Sequence, residues 1–300
     1  MKKSTKILLC LSAVFIGVGA ILTVSALCLG VKPVSAFESG IFDFTVQEAR
    51  TSEFSQDGRY VIPADRIENL YIDWVDGKIE IEAYDGSEII LEESASTLDE
   101  NNSLVYRLDN KSLEINSAAS RSGFRVSGIR TLSKDLHVYL PKSIAWKNVE
   151  VGGVDVDITV SDMVISNLDA DLVDGELSLS NVKLEDMFFD SMAGNFTAKG
   201  SQIKKIKVDT TSGRINADLT NCPDSIKFDT LSGDVRLYLP HDSEFSLELD
   251  ALSRSFNSDF EGVYSDSQFT VGNGKAQFEI DSVSSSVQIL KAVGSRTKTE

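Results

Sequence analysis

Between Leu168 and Leu239 a glycine returns at Gly175, Gly194, Gly213 and Gly233, at spacings of 19, 19 and 20 residues. Each sits in the same frame. Seven, five and three residues before it stand Leu168, Ala170 and Leu172, then Met187, Phe189 and Ser191, then Ile206, Val208 and Thr210, then Ile226, Phe228 and Thr230. Two and four residues after it stand Leu177 and Leu179, Phe196 and Ala198, Ile215 and Ala217, and Val235 and Leu237. The positions between are mostly charged or polar, as at Lys205, Lys207 and Asp209. Period-two alternation puts successive side chains on opposite faces of a strand, so each unit reads as strand, glycine turn, strand, with one face inward and one in water. One such unit cannot bury its apolar face alone. A repeat of about 20 residues therefore predicts a chain that winds and stacks strand on strand, an all-β solenoid resembling a β-helix.

The same frame fits Gly77 at all five positions (Leu70, Ile72, Trp74, Ile79, Ile81) and Gly274 at four (Phe269, Val271, Ala276, Phe278). The expected structural turn glycines are therefore Gly77, Gly175, Gly194, Gly213, Gly233 and Gly274, because a positive φ at a turn is costly for any residue with a Cβ. Hydroxyls in Thr210-Thr211-Ser212-Gly213 and Thr230-Leu231-Ser232-Gly233 can bond the turn backbone. Gly152 fits less well, with Val149 before it and Val154 and Val156 after, and Ser285 replaces glycine in a last unit ending Val287 and Ile289. Asp76-Gly77, Asp85-Gly86 before Ile89 and Leu91, and Asp109-Asn110 between two apolar runs read as hairpin turns between paired strands.

The chain ahead of the repeat has a different character. Ile7 to Val31 is a run of 25 uncharged, mostly apolar residues between Lys6 and Lys32, long enough to cross a bilayer, which takes about 20. Lys2, Lys3 and Lys6 before it against Lys32 after it predict a cytoplasmic N-terminus and an external body. The competing expectation is a cleaved leader, since Val34-Ser35-Ala36 has the small residues of a signal-peptidase site. The expected organisation is a basic tail (1–6), a transmembrane helix (7–31), a juxtamembrane spacer (32–66), the solenoid (67–291) and a short tail (292–300), a single-pass protein of the cell membrane. Cys10 and Cys28 fall in the apolar run, which leaves Cys222 as the one thiol of the body and no disulfide there.

The overall net charge of -17 conceals a basic tail on an acidic body, for residues 37 onward hold 25 Lys+Arg against 46 Asp+Glu. Such a body is repelled by phosphates, which excludes nucleic acid as a natural partner. A loop rich in Ser, Arg and Gly at 117–131, with Arg121, Arg125 and Arg130, is its one basic patch and reads as solvated.

A longer echo joins Leu136-His137-Val138-Tyr139-Leu140-Pro141 to Val235-Arg236-Leu237-Tyr238-Leu239-Pro240, each proline closing a strand. With the lead strand at Asp76-Gly77, these strand ends and the Thr-x-Ser-Gly turns behind an apolar N-terminal run, residues 67 to 291 resemble the bacterial DUF4097 family of adhesin-like proteins. The resemblance implies an all-β, solenoid-like domain on the outer face of the membrane, with some relatives tied to envelope stress. It implies no catalytic or binding residues.

No catalytic residues, cofactor or metal site are expected. His137 and His241 are the only histidines, both beside a Tyr-Leu-Pro strand end, and no nucleophile elbow or zinc-ligand spacing accompanies them. Asp155, Asp157, Asp169, Asp171 and Asp174 alternate on outward faces, so stacking can align carboxylates that collect Ca²⁺. The calcium-binding glycine-rich repeat is absent, and outward acids equally keep a β surface soluble. The expected function is that of a non-enzymatic cell-surface ectodomain that binds or scaffolds an envelope protein or glycan. The alternatives are a polysaccharide-active enzyme, which needs paired carboxylates in one groove, and a purely structural spacer.

Overall fold

In a computed structural model of the chain, residues 54–117, 133–265 and 268–292 are described, and all their regular structure is β. The apolar run at 7–31, the leader-type site at 34–36, Cys10, Cys28 and the arginine loop lie outside the described residues. The strands are β1 (Arg59–Pro63), β2 (Asn69–Tyr84), β3 (Glu88–Ala95), β4 (Val105–Asp109), β5 (Ser112–Asn116) and β6 (Lys134–Pro141). Then come β7 (Trp146–Ser161), β8 (Val164–Ser180), β9 (Lys183–Ser212), β10 (Ile215–Leu219), β11 (Ser225–Ser232) and β12 (Val235–Leu239). The last four are β13 (Phe245–Ser258), β14 (Val263–Ser265), β15 (Gln268–Val271) and β16 (Ala276–Lys291).

Coil lies on coil in parallel and in register. Val151 of β7 pairs with Ala170 of β8, which pairs with Phe189 of β9. Val208 of β9 pairs with Phe228 of β11, and Phe228 with Ile280 of β16. All of these except Val151 are at most 0% exposed, so like positions of successive coils form columns through one core. The first and second strand segments of the frame account for two sides of each coil. A third side, short and equally inward, follows: Met163 and Ile165, Val182 and Leu184, Ser201 and Ile203. It begins at a second corner where Asp162 (φ 54–61 with its equivalents), Asn181 and Gly200 adopt left-handed backbone 19 residues apart, at φ 56, 54 and 61. Asn181 Nδ2 donates to Asp162 Oδ1 at 3.1 Å. Asparagine and aspartate tolerate this conformation better than most residues, so a column with one glycine, Gly200, escapes a search for recurring glycine.

No glycine of the column is a hairpin turn: at Gly77, Gly175 and Gly194 the chain bends inside a continuous strand, and at Gly213 and Gly233 it bends in a short break between two strands. β2 runs unbroken through Gly77, β8 through Gly175 and β9 through Gly194, because the coils above and below supply the hydrogen bonds that a hairpin would otherwise provide. Gly77, Gly175 and Gly233 have positive φ, whereas at Gly213 the constraint is the next coil: an added Cβ would lie 1.9 Å from the Gly194 carbonyl oxygen. In β7 the column is occupied by Val156, paired with Gly77 on one side and Gly175 on the other, rather than by Gly152. Val156 turns inward into room left by Gly153, where a Cβ would stand 2.6 Å from its Cγ2. Ser285 lies opposite the glycine position of the β11–β12 coil, between the pairs Ser232–Ser284 and Val235–Val287. Gly274 stands apart. Its φ of 66 belongs to the reversal between β15, antiparallel to β13, and β16, parallel to β13, so Phe269 and Phe278 flank Leu247 from opposite sides instead of sharing a coil.

Antiparallel strands cover both ends of the stack. β5 and β6 together form the outermost coil beyond β2, with β4 folded onto β5 and β3 then β1 onto β6. The Asp109-Asn110 turn is a hairpin, with Asn110 at φ 52. The one expected at Asp85-Gly86 is not, since β6 enters between β2 and β3. Arg59–Pro63, expected within the spacer, is part of this cap. At the other end β15 and β14 fold onto β13. Such covers shield open strand edges that would otherwise recruit further chains.

Candidate functional site: the outward aspartate column

Four residues before the corner column, the outward face carries an aspartate in six successive coils. Asp171 pairs with Asp190, Asp209 with Asp229, Asp229 with Asp281, and Asp281 with Asp250. Asp190 and Asp209 are also close enough for the charge of the second to raise the carboxyl of the first. Neighbouring strands lie about 4.8 Å apart, so ionised neighbours repel, and partial burial among flanking side chains adds to the penalty. Burial is the larger cause at Asp171, Asp190, Asp229 and Asp281. It raises Asp171 and Asp190, raises Asp229, and pushes Asp281 up to about 7, with the charges of Asp229 and Glu279 next. A hydrogen bond between Asp281 and Asp229 lowers the latter, as a protonated carboxyl beside an ionised one would.

The neighbouring outward column, two residues earlier, changes sign along the stack. It reads Glu150, Asp169, Phe188 in the β7, β8 and first β9 coils, then Lys207, Lys227 and Glu279. Lys207 Nζ is 3.4 Å from Asp209 and 4.5 Å from the Phe188 ring centre, and Lys227 Nζ is 3.1 Å from Glu279. The middle coils are thus partly neutralised. In β7 and β8 the one basic residue, Lys147, is ion-paired with Glu68, and Asp169 is pushed up to about 6 by burial and then by Asp171 and Asp190. Asp155, Asp157 and Asp174 are exposed on the same two strands. Among the described residues no three His, Cys, Asp or Glu side chains converge as metal ligands, because a column spaces its carboxylates along a line.

A second polar cluster lies at the N-terminal cap. His137 is within a strand rather than at its end: Nδ1 is 3.5 Å from Glu80, Nε2 is 3.3 Å from Glu82, and the ring stacks on Tyr139 at 4.0 Å. It lines a cavity of about 300 Å³ with Lys78, Glu80, Glu92 and Asp135. Beneath, Lys134 Nζ meets Glu93 at 2.5 Å and the Asn102 carbonyl at 2.8 Å, and Glu93 also accepts from the Leu104 amide at 2.8 Å. The pair is at most 2% exposed. Both charges of this pair are thus partnered, as a buried ion pair requires. His241 is exposed in the turn after β12. The Cys222 thiol is half-buried and raised by that burial.

The turn glycines and the aspartates were both visible in the sequence, but the run from Asp229 to Asp281 to Asp250 was not, since it reverses chain order. The signal was present as an aspartate four residues before Ser285 and four before Arg254; in the latter unit an arginine stands where the other units have glycine or serine.

The profile of the Toastrack DUF4097 family matches residues 51–290. Three solved structures are similar over most of their length. A "putative cell adhesion protein" from Clostridium sporogenes is 12% identical with a TM-score of 0.36, covering 78% of this chain and 97% of that one. A "putative adhesin" from Bacteroides fragilis is 11% identical with a TM-score of 0.38, over 78% and 95% of the two chains. A "putative lipid binding protein" from Parabacteroides distasonis is 15% identical with a TM-score of 0.27, over 79% and 96%. No curated protein matches the chain.

Proposed function

The chain belongs to the Toastrack DUF4097 family, and on that premise we propose that it is a non-enzymatic ectodomain, held at the outer face of the cell membrane by Ile7–Val31 and binding another component of the envelope. The observation that carries this reading is the unbroken outward face built by stacking. Side chains repeat at one register over successive coils, from Asp171 through Asp190, Asp209, Asp229 and Asp281 to Asp250. Such a face suits an extended contact better than the enclosed pocket in which small substrates are held. Fold alone confers no activity, and the two ring nitrogens of His137 face the carboxylates of Glu80 and Glu82 rather than a nucleophile.

Proximity labelling from the full chain on intact cells tests the reading. A reproducible set of envelope neighbours is expected, reduced by Asp209→Ala with Asp229→Ala at unchanged thermal stability. Labelling no different from that of an unrelated membrane protein overturns it in favour of a structural spacer.

A further inference from the structure

Where each strand bends, two residues before the corner column, one side chain per coil falls outside the ladder. Gly153 pairs with Leu172 and Asp155 with Asp174, and the register passes over Val154 and Val173 between them. It likewise passes over Met192 between Ser191 and Ala193. At each bend two successive side chains face outward, so Val154, Val173 and Met192 stand in solvent beside exposed Asp155, Asp174 and Ala193. Val154 is 51% exposed, Val173 46% and Met192 41%. They stand one coil apart, on a strand spacing of about 4.8 Å, as a short apolar ridge. Valine and methionine gain nothing from water, and aligned apolar side chains rimmed by charge are the usual mark of a contact surface.

The rim identifies what fits. Asp155 and Asp174 follow the ridge directly, Asp157 and Glu176 lie two residues further, and Asp171 lies on its other side. No base of β7 or β8 offsets them, for Lys147 is held by Glu68; beside them, Lys78 of β2 stands in register with Asp157 and leaves Asp155, Asp171, Asp174 and Glu176 as the acidic rim. An anionic lipid surface or a second copy of a chain with net charge -17 would meet like charge.

We propose that the ridge Val154–Val173–Met192 is the docking line for a cationic polypeptide segment that also carries apolar side chains. Apolar contact with the ridge supplies the affinity, and the carboxylates on either side set orientation and speed encounter. The inference rests on the binding function proposed above and names its surface and partner class.

The test uses the full chain in zwitterionic nanodiscs and fluorescent 12-residue peptides. An alternating lysine–leucine peptide is expected to bind. Peptides with lysine replaced by glutamate, or leucine by serine, should bind at least about tenfold more weakly, as should the lysine–leucine peptide to V154S/V173S/M192S. Thermal unfolding of the variant checks its fold. Should it fail to fold, Asp155→Asn with Asp157→Asn and Asp174→Asn keeps the ridge and is expected to weaken binding by a similar factor. Equal binding by the lysine–serine peptide, or by the ridge variant, overturns the proposal. So does a wild-type dimer in sedimentation that the ridge variant abolishes, which would make a second copy the occupant. Envelope neighbours that persist on cells when the ridge is altered would sink this surface and leave the binding function standing; peptide binding with no neighbours on cells would do the reverse.

Discussion

Gly233 and Asp281 show how stacking turns a local choice into a constraint from the next coil. A Cβ at Gly233 would lie 1.8 Å from the Gly213 carbonyl oxygen, and its φ of 145 is itself unfavourable for other residues. Gly233→Ala is expected to destabilise by about 2–4 kcal/mol, read by chemical denaturation, because backbone of two coils must shift. At Asp281 the constraint is electrostatic. Its carboxyl titrates near 7 in the fold against an ordinary 3.8, so between those values the folded state holds the extra proton. Stability from this group is therefore highest below about pH 4, falls as pH rises through the window, and is lowest above 7. Asp281→Asn removes the penalty and still donates to Asp229. After discounting for solvent screening, a gain of about 1 kcal/mol is expected at pH 8 and none at pH 4. A lower melting temperature for the variant at pH 8 would contradict the ladder account.

At the scale of elements, the ends of the stack differ from its middle. The coils from β7 to β12 are held by parallel neighbours in register, while the N-terminal cap joins antiparallel β3 to parallel β6 over the buried Lys134–Glu93 pair. Lys134 also packs 4.8 Å from the Trp74 ring centre, and its carbonyl accepts from Trp74 Nε1 at 2.7 Å. Lys134→Ala leaves Glu93 buried without its cation, and a loss of about 3–5 kcal/mol is expected. The double replacement Lys134→Met with Glu93→Leu should recover much of it in the same denaturation assay, since neither charge is then stranded. Between coils, Asn167 donates to Asn148 at 2.9 Å and Asn148 to Asn69 at 2.8 Å. Asparagine at 148 and 167 is visible as a 19-residue spacing; the third member is not, because β2 is far earlier in the chain.

At the scale of the molecule, the proposed topology makes a direct prediction. A single cysteine placed at exposed Asp157, in a background with Cys10, Cys28 and Cys222 all replaced by serine, should react with a membrane-impermeant maleimide on intact cells. Protection until lysis would reverse the orientation. Recovery of the labelled body in the medium would favour cleavage after Ala36 over a retained helix.

Alternation at i and i+2 is local, so the sequence by itself determined the inward residues, the period and the corners at Gly77, Gly175, Gly194, Gly213 and Gly233, but not at Gly152 or Gly274. It could not determine which coil lies beside which. Thr230 pairs with Ser282 rather than with the next segment in the chain, and β16 enters between β11–β12 and β13, because backbone ladders accept any strand and the choice is made by how the side chains of distant coils fill one core. Position Val156 shows the same division: the sequence offered Gly152 as the corner of that unit, and only the packed core puts it at Val156, where Gly153 makes the room. The six-residue aspartate column and the Val154–Val173–Met192 ridge follow from that choice of neighbours, since a surface of a stacked fold is defined across the coils and not along the chain.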